Sequence, residues 1–539
     1  MNIFLVAKKR NVKNKNLCGL KSLCVVIFVL LLCAVPQLLS AAVYDIPAGN
    51  VAALIGAINA ANSSPGRDTI NLAPHSVYSL MDYYYAQGEP DEELALPSLS
   101  SEIVINGNNS TIENATKDTD NVKFFRIFYI RSTADIIMKD LTIAKGIHLA
   151  VGPAGGGISN NGGIVEMVNC IVTQNRDDDH GGGIYNDGAM KLKDCAITQN
   201  TARAVTYGFG GGIYNSGTLV IENSTINDNL TGGFGQGSGI YNSGILNVIN
   251  STLSGNVMDE LNLLNFRAQG GAIYNKGGTV TLSNCTVTDN KVSLDSLDQV
   301  GQGGGIYNES GSVKLANTIV ADQRLGENCY GVINSTGYNL DSDGTCNLAS
   351  TGDLSNNSGV NLGPLQDNGG PTLTHALLLG SSAIDAGNPN GCTDPDENLL
   401  TKDQRGFTRP FNGRCDIGAF EFTPFYKASG LFRSIDPIRI ILKTAKAYPV
   451  KWKLTEGGGS PITSLAAIDS ITFKPTDCNT FTNDPVGATD ALAVGGAHLR
   501  FDTVENQYVF NWATPRSGCY TLFLTLHYGQ VFPAYFSIR

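Results

Sequence analysis

The stretch that decides the fold is GGGIYNDGAMKLKDCAITQN, residues 181–200, because close variants of it recur along the middle of the chain. Its first six residues form a signature that occurs six times. The copies are GGGISN (155–160), GGGIYN (181–186), GGGIYN (210–215), GSGIYN (237–242), GGAIYN (270–275) and GGGIYN (303–308). Successive signature asparagines are 26, 29, 27, 33 and 33 residues apart. A repeat of this kind predicts stacked coils that share one core.

The block after each signature alternates apolar and polar residues, which is typical of a half-buried strand. One inward position is filled by Val165, Met190, Leu219, Leu246, Val280 and Val313. The next is filled by Met167, Leu192, Ile221, Val248, Leu282 and Leu315, and the signature isoleucines supply a third. Equivalent apolar positions in every copy predict a right-handed parallel β-helix. We expect its first coils at 101–114 and 134–146, and a cap at 44–80 that protects the end strand.

Three further positions recur. We expect the signature asparagines, Asn160 to Asn308, to stack at a bend, where Asn tolerates left-handed backbone. Cys170, Cys195 and Cys285 share a position with Ser224, Ser251 and Thr318, which favours small-residue packing over metal or redox chemistry. The outer residues Tyr185, Tyr214, Tyr241, Tyr274 and Tyr307 alternate with the inward isoleucines. They are candidates for sugar binding by their ring faces, and the alternative is mutual stacking on a solvent face.

Variation in repeat length falls in one loop, between the end of each block and the next glycine run. The longest loops span 258–269 and 291–302. Their apolar residues are Leu261, Leu263, Leu264 and Phe266 in the first, and Leu294, Leu297 and Val300 in the second. We expect these loops either to contact a partner or to pack on the flank of the helix.

Residues 1–42 have the pattern of a signal peptide: a basic segment, the apolar run 23–35 and small residues at 40–42. An uncleaved signal anchor is the alternative. Removal of this segment, with six basic and no acidic residues, takes the formal charge from −11 to −17. Such a charge disfavours nucleic acid and anionic membranes as partners. We expect a secreted or bacterial cell-surface monomer without a membrane span in the mature chain.

Six of the nine cysteines outside the signal segment fall as local pairs that an exported chain can oxidise. The expected disulfides are Cys329–Cys346, Cys392–Cys415 and Cys478–Cys519. Residues 425–539 contain fewer glycines and have the alternation of antiparallel strands, as in AYPVKWKL (447–454), YVFNWA (508–513) and CYTLFLTL (519–526). We therefore expect a helix domain at 43–424, with a disulfide-stabilised C-terminal cap, followed by a small antiparallel β-sandwich.

Five stretches resemble two known families. LIGAINAANSSPGRDTINLAPHSVYSL (54–80) resembles the start of exported proteins of the CSLREA-domain type, although Ile55 and Gly56 replace the Arg-Glu pair. ENCYGVINSTGYNLDSDGTC (327–346), GPLQDNGGPTLTHALLLGSSAIDAGN (363–388), DQRGFTRP (403–410) and CDIGAFE (415–421) resemble the end of the choice-of-anchor Q family. This resemblance, over 44–422, implies a β-helix at or outside the cell surface.

Two weaker resemblances concern the repeats and the C-terminal module. GGAI (270–273) is similar to repeats of polymorphic outer-membrane proteins, which are adhesins of the cell outer membrane, but the F-x-x-N hallmark and the C-terminal barrel of that family are missing from the sequence. Pro449, Lys451 and Trp452 resemble the PxKF module, with Trp in place of Phe.

Candidate chemistry is concentrated in Arg176-Asp177-Asp178-Asp179-His180. This cluster resembles the Asp pairs and His of polygalacturonases, whose motifs are spread over successive coils. Asp177, Asp178, Asp179 and His180 are therefore the candidate catalytic residues, and a solvated acidic loop is the alternative. Asp341 and Asp343, with Gly344, supply half of a Ca²⁺ loop.

Other charged and histidine residues have structural explanations. We expect Asp385, Asp403, Arg405 and Asp416 to hold the C-terminal cap by ion pairs. The histidines His148, His375 and His498 are isolated in sequence. The sequence favours a protein that binds glycans or surface proteins through its loops, without a cofactor other than a possible Ca²⁺. A polysaccharide lyase or hydrolase that acts on an acidic polymer is the alternative.

Overall fold

The computed structural model describes residues 41–539 with internal gaps. The gaps are 86–92, 117–120, 150–153, 204–207, 233–234, 260–268, 294–300, 412, 424–426, 431–438, 443–446, 456–460, 483, 495–498 and 527–529. The predicted signal peptide therefore lies outside the described residues, except for Ala41 and Ala42. The chain divides into two compact units. The first contains the described residues up to Leu282 together with 287–314 and 322–334, and the second contains 283–286, 315–321 and 335–539.

The first unit is a right-handed parallel β-helix, as the repeat predicted, and the solenoid as a whole has about 8 turns. Each coil of the repeat contributes strands to four columns. Column 1 contains Phe128–Arg131, Ile158–Asn161, Ile184–Asn186, Ile213–Asn215, Ile240–Asn242 and Cys329–Tyr330, with the first residues of Ile273–Ser283 and Ile306–Ala316. Column 2 contains Val43–Ile46, Asp68–Leu72, Ile164–Val168, Ala189–Lys193, Thr218–Glu222 and Ile245–Ile249. The strands Glu102–Asn114 and Asp135–Ala144 each run through columns 2 and 3.

Columns 3 and 4 complete each coil. Column 3 contains Val77–Leu80, Ile171–Thr173, Ala196–Thr198, Thr225–Asn227, Thr252–Ser254 and Thr286–Thr288. Column 4 contains Ile147–His148, Arg176–Asp177, Thr201–Arg203, Leu230–Gly232, Val257–Asp259 and Lys291–Ser293. The single α-helix of the described residues, Val51–Ser63, begins at the N-cap Asn50, whose side chain accepts a hydrogen bond from the backbone N of Ala53.

The register confirms the predicted inward positions. Met190 pairs with Val165 on one side and with Leu219 on the other. All three side chains are at most 2% exposed. Burial of an aliphatic side chain of this size contributes about 1.5–3 kcal/mol, and each coil adds several of them. The apolar layers therefore hold neighbouring coils together.

The second unit contains more parallel strands and a cap. The parallel strands are Ile319–Ala321, Leu340–Asp341 and Leu354–Ser355. Between the first two of these in sequence lie the strands Cys329–Tyr330, which belongs to the first unit, and Asn334–Ser335. The antiparallel pair Leu362–Gln366 and Thr374–Leu377 follows the last of them. The cap residues Leu377, Ile417 and Phe420 pack on Ile319 and Leu340. Cys392–Cys415 is a disulfide, and Cys329 and Cys346 are also disulfide-bonded, as predicted.

The end of the chain forms two five-stranded, mainly antiparallel sheets, which fit the predicted small β-domain. The first contains Lys427–Gly430, Tyr448–Thr455, Pro461–Ile462, Arg500–Asp502 and Gln507–Trp512. The second contains Arg439–Leu442, Ile468–Pro475, Thr489–Asp490, Gly518–Leu526 and Val531–Ile538. A 3₁₀ turn, Leu465–Ala467, directly precedes the strand Ile468–Pro475 of the second sheet. Trp452, Trp512 and Phe536 fill the core, and the predicted disulfide Cys478–Cys519 is present.

Candidate functional site

The loops of variable length all leave the coil at one edge of the first unit. After column 4 the chain reaches a row of single parallel bridges, formed by His180, Phe209, Gln236, Gln269 and Gln302. We name this row the loop edge. In each coil a connection links the last aligned position of column 4 to the bridge residue of the loop edge. In successive coils this connection contains one residue (Asp179), five residues (204–208), three (233–235), nine (260–268) and eight (294–301). Stems in register thus carry connections of very different length.

The two long loops are described only at their stems. Met258 and Asp259 lead into the first, and Lys291 to Ser293 lead into the second. The apolar residues predicted to contact a partner or the flank lie outside the described residues, at 261–266 and 294–300. The glycine run returns the chain to the helix. At Gly210, φ is +68° and a Cβ would lie 2.2 Å from the carbonyl O of Ile213, so only Gly fits.

The outer tyrosines form one continuous stack. Ring centroids of Tyr185, Tyr214, Tyr241, Tyr274, Tyr307 and Tyr330 follow at 5.4, 4.8, 5.4, 5.1 and 4.7 Å. Neighbouring rings are inclined by no more than 19°. The ring faces inside the stack are therefore occupied by other rings, which supports the stacking alternative rather than sugar binding at these faces.

The expectation of a solvent-exposed tyrosine face is wrong. Tyr274 is only 1% exposed and Tyr241 only 6%. The loop edge covers the stack: the His180 ring lies 4.5 Å from Tyr214, Phe209 lies 5.1 Å from Tyr241, and Gln269 Nε2 donates to the Tyr307 hydroxyl. Burial raises the pKa of Tyr241 and of Tyr274. These tyrosines join the loop edge to the helix.

The signature asparagines form the expected hydrogen-bonded ladder. Each Nδ2 donates to the Oδ1 of the next, from Asn160 to Asn308, at 2.7–2.9 Å. The expected left-handed backbone at these residues is wrong. Left-handed φ occurs instead at the turn between columns 2 and 3, for example at Asn169, Asp194 and Asn223. There the short polar side chains of neighbouring coils bond to each other: Asn223 Nδ2 donates to Asp194 Oδ1.

A second asparagine ladder was not predicted. It runs through Asn175, Asn200, Asn229, Asn256, Asn290 and finally Gln323. Asn229 is fully buried, and its Nδ2 also donates to the carbonyl O of Ile197. The signal was the last letter of each repeated block, which is Asn in five copies and Gln in the sixth.

The repeated cysteines pack as predicted. Cys170, Cys195 and Cys285 are buried thiols outside the disulfides. Their thiols donate to backbone carbonyls, as Cys195 Sγ does to Lys193 O, and Ser224 Oγ makes the equivalent bond to Glu222 O. Burial raises the pKa of the Cys195 thiol, which disfavours the reactive thiolate.

The acidic segment 176–180 is not the solvated loop that was the alternative to a catalytic cluster, because Asp177 is completely buried. Its Oδ1 accepts hydrogen bonds from the backbone N of Asp179 and of His180, at 2.7 and 2.6 Å. Asp178 pairs with Arg176 at 2.8 Å, and Asp179 pairs with His180 at 3.2 Å. Three of the four candidate catalytic residues therefore pair with another residue of the same segment. These three are Asp178, Asp179 and His180.

Asp177 belongs to a buried charge cluster that also contains Glu93, Arg126 and His148. His148 Nδ1 lies 2.8 Å from Asp177 Oδ2, and His148 Nε2 lies 3.6 Å from Glu93 Oε2. Arg126 and His148 are each 3% exposed, whereas the Glu93 side chain is 30% exposed. The chain of groups therefore leads from the interior towards the surface. The isolation of His148 in sequence was misleading.

Burial dominates the electrostatics of this cluster. It raises the pKa of Asp177 well above its ordinary value, against the opposing backbone hydrogen bonds and the charge of Arg126. Burial also lowers the pKa of His180, which is outside the cluster, although the attraction of Asp179 acts in the opposite direction. The cluster could not be predicted from spacing, since its successive members are 22 or more residues apart in the sequence and only Asp177 lies in an evident polar run.

The calcium candidates have local partners. Asp341 accepts hydrogen bonds from the backbone N of Asp343 and of Cys346, at 3.3 and 3.0 Å. Asp343 Oδ1 accepts from the backbone N of Thr345 at 2.9 Å. Within the described ranges, no group of three or more His, Cys, Asp or Glu side chains is placed to hold a metal ion. Calcium at this loop stays a prediction.

Of the predicted ion pairs of the cap, the one between Arg405 and Asp403 is present. Arg405 Nη2 donates to Asp403 Oδ2 at 2.6 Å, and its guanidinium lies 3.4 Å from the Phe420 ring centroid. Asp416 accepts from the backbone N of Asp385 at 2.7 Å. These contacts give the cap residues a structural role. Of the other histidines, His375 bonds the carbonyl O of Gly363, and His498 lies outside the described residues.

Comparison with known proteins gives one match. Residues 101–323 match the family described as "Right handed beta helix region", in agreement with the coils described above. No curated protein and no solved structure matches the chain. Among the described residues, no helix has the length and apolar character needed to cross a membrane.

Proposed function

We propose that this chain is an exported β-helix protein that binds glycans or surface proteins through the connections at its loop edge. The observation that carries the proposal is the alignment of stems that bear one, five, three, nine and eight residues at one edge. Recognition is commonly placed on loops that a rigid scaffold presents. The two asparagine ladders and the tyrosine stack supply such a scaffold beside these stems.

The exported location is proposed on three grounds. Residues 1–42 have the signal-peptide pattern, and the three disulfides fit an oxidising compartment. The resemblance to choice-of-anchor Q and CSLREA-type proteins favours a bacterial cell surface or the medium. The same resemblances support a boundary near residue 424 between the helix domain and a PxKF-like module.

The formal charge of −17 for residues 43–539 bears on the partner. Nucleic acids and anionic membranes need a cationic surface, so a neutral glycan or a protein surface fits better. In this proposal the stacked tyrosines Tyr185, Tyr214, Tyr241, Tyr274 and Tyr307 support the loops rather than contact a sugar, because neighbouring rings cover their faces and Tyr274 is only 1% exposed.

Loop replacement tests the proposal. The coil that contains Asp179 closes this connection with one residue, so residues 260–268, or 294–301, can be replaced by a single Asp without stretching the stems. The control replaces 233–235 in the same way. Retention on printed neutral and acidic oligosaccharides, and on surface proteins of other cells, is measured for the chain without residues 1–42. We expect at least a tenfold loss in the long-loop variants. Equal binding by all variants would refute the proposal.

A polysaccharide lyase or hydrolase is the second candidate, and the buried charge cluster favours it. Asp177 fixes one imidazole nitrogen of His148, so the other nitrogen faces Glu93 near the surface. An imidazole oriented in this way can transfer a proton. Reducing ends and unsaturated products from polygalacturonate and neutral polymers measure turnover. If the chain is an enzyme, His148→Gln should abolish its activity, whereas Asp178→Ala and His180→Ala should reduce the activity less. Binding without turnover would exclude an enzyme.

A further inference from the structure

An exposed aromatic surface lies at the N-terminal end of the first unit, away from the repeated signatures. It is formed by Tyr83, Tyr84, Tyr85 and Phe124, which we name the tyrosine patch. Tyr85 is 70% exposed and Phe124 is 39% exposed, while Tyr83 and Tyr84 are half-buried. The largest exposed apolar patch on a monomeric protein commonly measures a few hundred Å² and is often functional.

The patch is held in place by its own contacts. The Tyr83 ring lies 5.8 Å from the Tyr85 ring and stands edge-on to buried Phe125 at the same distance. The Tyr83 hydroxyl accepts from the backbone N of Phe124, and the Tyr84 hydroxyl donates to Asn59 Oδ1 at 3.1 Å. Because the Tyr83 and Tyr84 rings are held before a ligand arrives, little of their side-chain entropy is lost on binding.

Polar groups lie beside the rings. Lys123 Nζ pairs with Asp82 Oδ1 at 2.6 Å and lies 5.9 Å from the Tyr83 ring centroid. The Asp82 side chain is 71% exposed, so its carboxylate can accept further hydrogen bonds. A pyranose has a C–H face that packs on an aromatic ring and equatorial hydroxyls that bond to carboxylates and ammonium groups. The patch offers both kinds of contact.

The size of the patch decides between a sugar and a protein partner. If a fully exposed aromatic side chain presents about 200 Å², the four rings expose on the order of 300 Å². A stable protein interface needs about 800 Å² on each partner. The patch is therefore too small for a protein and large enough for a short glycan.

We propose that the tyrosine patch is a subsite for the apolar face of a pyranose ring, with Asp82 and Lys123 bonded to its hydroxyls. This inference rests on the glycan-binding form of the function proposed above and adds a second contact to it. The backbone N of Tyr84 donates to the carbonyl O of Leu94 at 2.7 Å, so the patch also lies one residue from Glu93 of the buried charge cluster.

The experiment measures binding of cello-, xylo- and chito-hexaose by affinity electrophoresis and tyrosine fluorescence. The test variants are Tyr85→Ala and Asp82→Asn, and Tyr330→Ala is the matched control, since Tyr330 is 38% exposed at the end of the tyrosine stack. We expect Tyr85→Ala to weaken binding at least fivefold, Asp82→Asn to weaken it two- to fivefold, and Tyr330→Ala to leave it unchanged.

The outcomes separate this subsite from the loop edge. Loss in Tyr85→Ala, whether or not the long-loop replacements bind, supports the patch. Unchanged binding in Tyr85→Ala with loss in the loop replacements refutes the patch and keeps the loop-edge proposal. Equal loss in Tyr85→Ala and Tyr330→Ala, or no retention of any hexaose by the unchanged chain, also refutes the patch. Tyr85→Phe, which keeps the ring face, should retain binding if stacking is the cause.

Discussion

His148 Nδ1 lies 2.8 Å from Asp177 Oδ2 inside the β-helix, at a register position that later coils fill with uncharged side chains. Those residues are Ala202, Thr231, Met258 and Val292. A buried pair of polar side chains is seldom more stable than an apolar pair of the same volume. Because the pair of His148 and Asp177 fills this position in only two coils, it indicates a role other than holding the coils together. Glu93 is partly exposed, so a ligand or a proton can reach the cluster from the side of Glu93.

Removal of Asp177 should be costly. We expect Asp177→Ala to lower the free energy of unfolding by about 3–5 kcal/mol, because it leaves His148 and the backbone N–H groups of Asp179 and His180 without their buried partner, at about 1–3 kcal/mol for each group. Asp178→Ala, which breaks only the surface pair with Arg176, should cost about 0–1 kcal/mol. Urea unfolding followed by circular dichroism measures both. Equal effects would mean that the interior cluster carries no special stability.

The pH dependence of the second unit should follow Asp416. Burial and then the neighbouring Glu421 raise the pKa of Asp416 from its ordinary 3.8 to about 8. Between these values the folded state holds a proton that the unfolded chain has lost, so stability falls as pH rises through the window. We expect the thermal midpoint to be lower at pH 8.5 than at pH 5, and Asp416→Asn to reduce that difference. The same difference in variant and wild type would contradict the assignment.

The sequence predicted the features of this fold that repeat along the chain. It missed contacts that depend on how coils and loop-edge residues are placed against one another. The alternation around Met190 and Leu192 is local, so it revealed the inward positions and the parallel pairing. The burial of Tyr274 depends on how loop-edge residues such as Gln269 return over the stack. The contact of His148 with Asp177 depends on coil register. Neither can be calculated from a single coil.

The tyrosine stack should stabilise the helix rather than present a ligand surface. Tyr274→Ala should cost about 3–5 kcal/mol, as expected for loss of a buried aromatic side chain. Tyr274→Phe keeps the ring and loses only the hydroxyl bond to Glu309, which should cost about 1 kcal/mol. Denaturant midpoints measure both variants. A Tyr274→Ala chain as stable as wild type would show that the stack is dispensable.

The second asparagine ladder should be sensitive at its centre. Asn229 receives bonds from the backbone N and the Nδ2 of Asn200 and donates to Asn256 Oδ1 and Ile197 O. Asn229→Ala would leave several buried polar groups without partners, at about 1–3 kcal/mol for each group that stays unsatisfied. Asn247→Ala, on the outward side of its strand, is the control and should change stability by less than about 0.5 kcal/mol.

Glycine substitutions should separate sites of close backbone approach from sites with free space. A Cβ on Gly211 would lie 2.5 Å from the carbonyl O of Leu230 and 2.6 Å from that of Ser238. Both atoms belong to backbone that cannot move without breaking coil pairing, so Gly211→Ala should lower the unfolding midpoint strongly.

Gly56, in the helix Val51–Ser63, has nothing within 4 Å of the added atom. Gly56→Ala should therefore stabilise the chain by about 0.5–1 kcal/mol, because Ala has the higher helix propensity. Thermal unfolding of the two variants in parallel measures the contrast, and a Gly211→Ala chain with an unchanged midpoint would show that the coils can separate at this glycine.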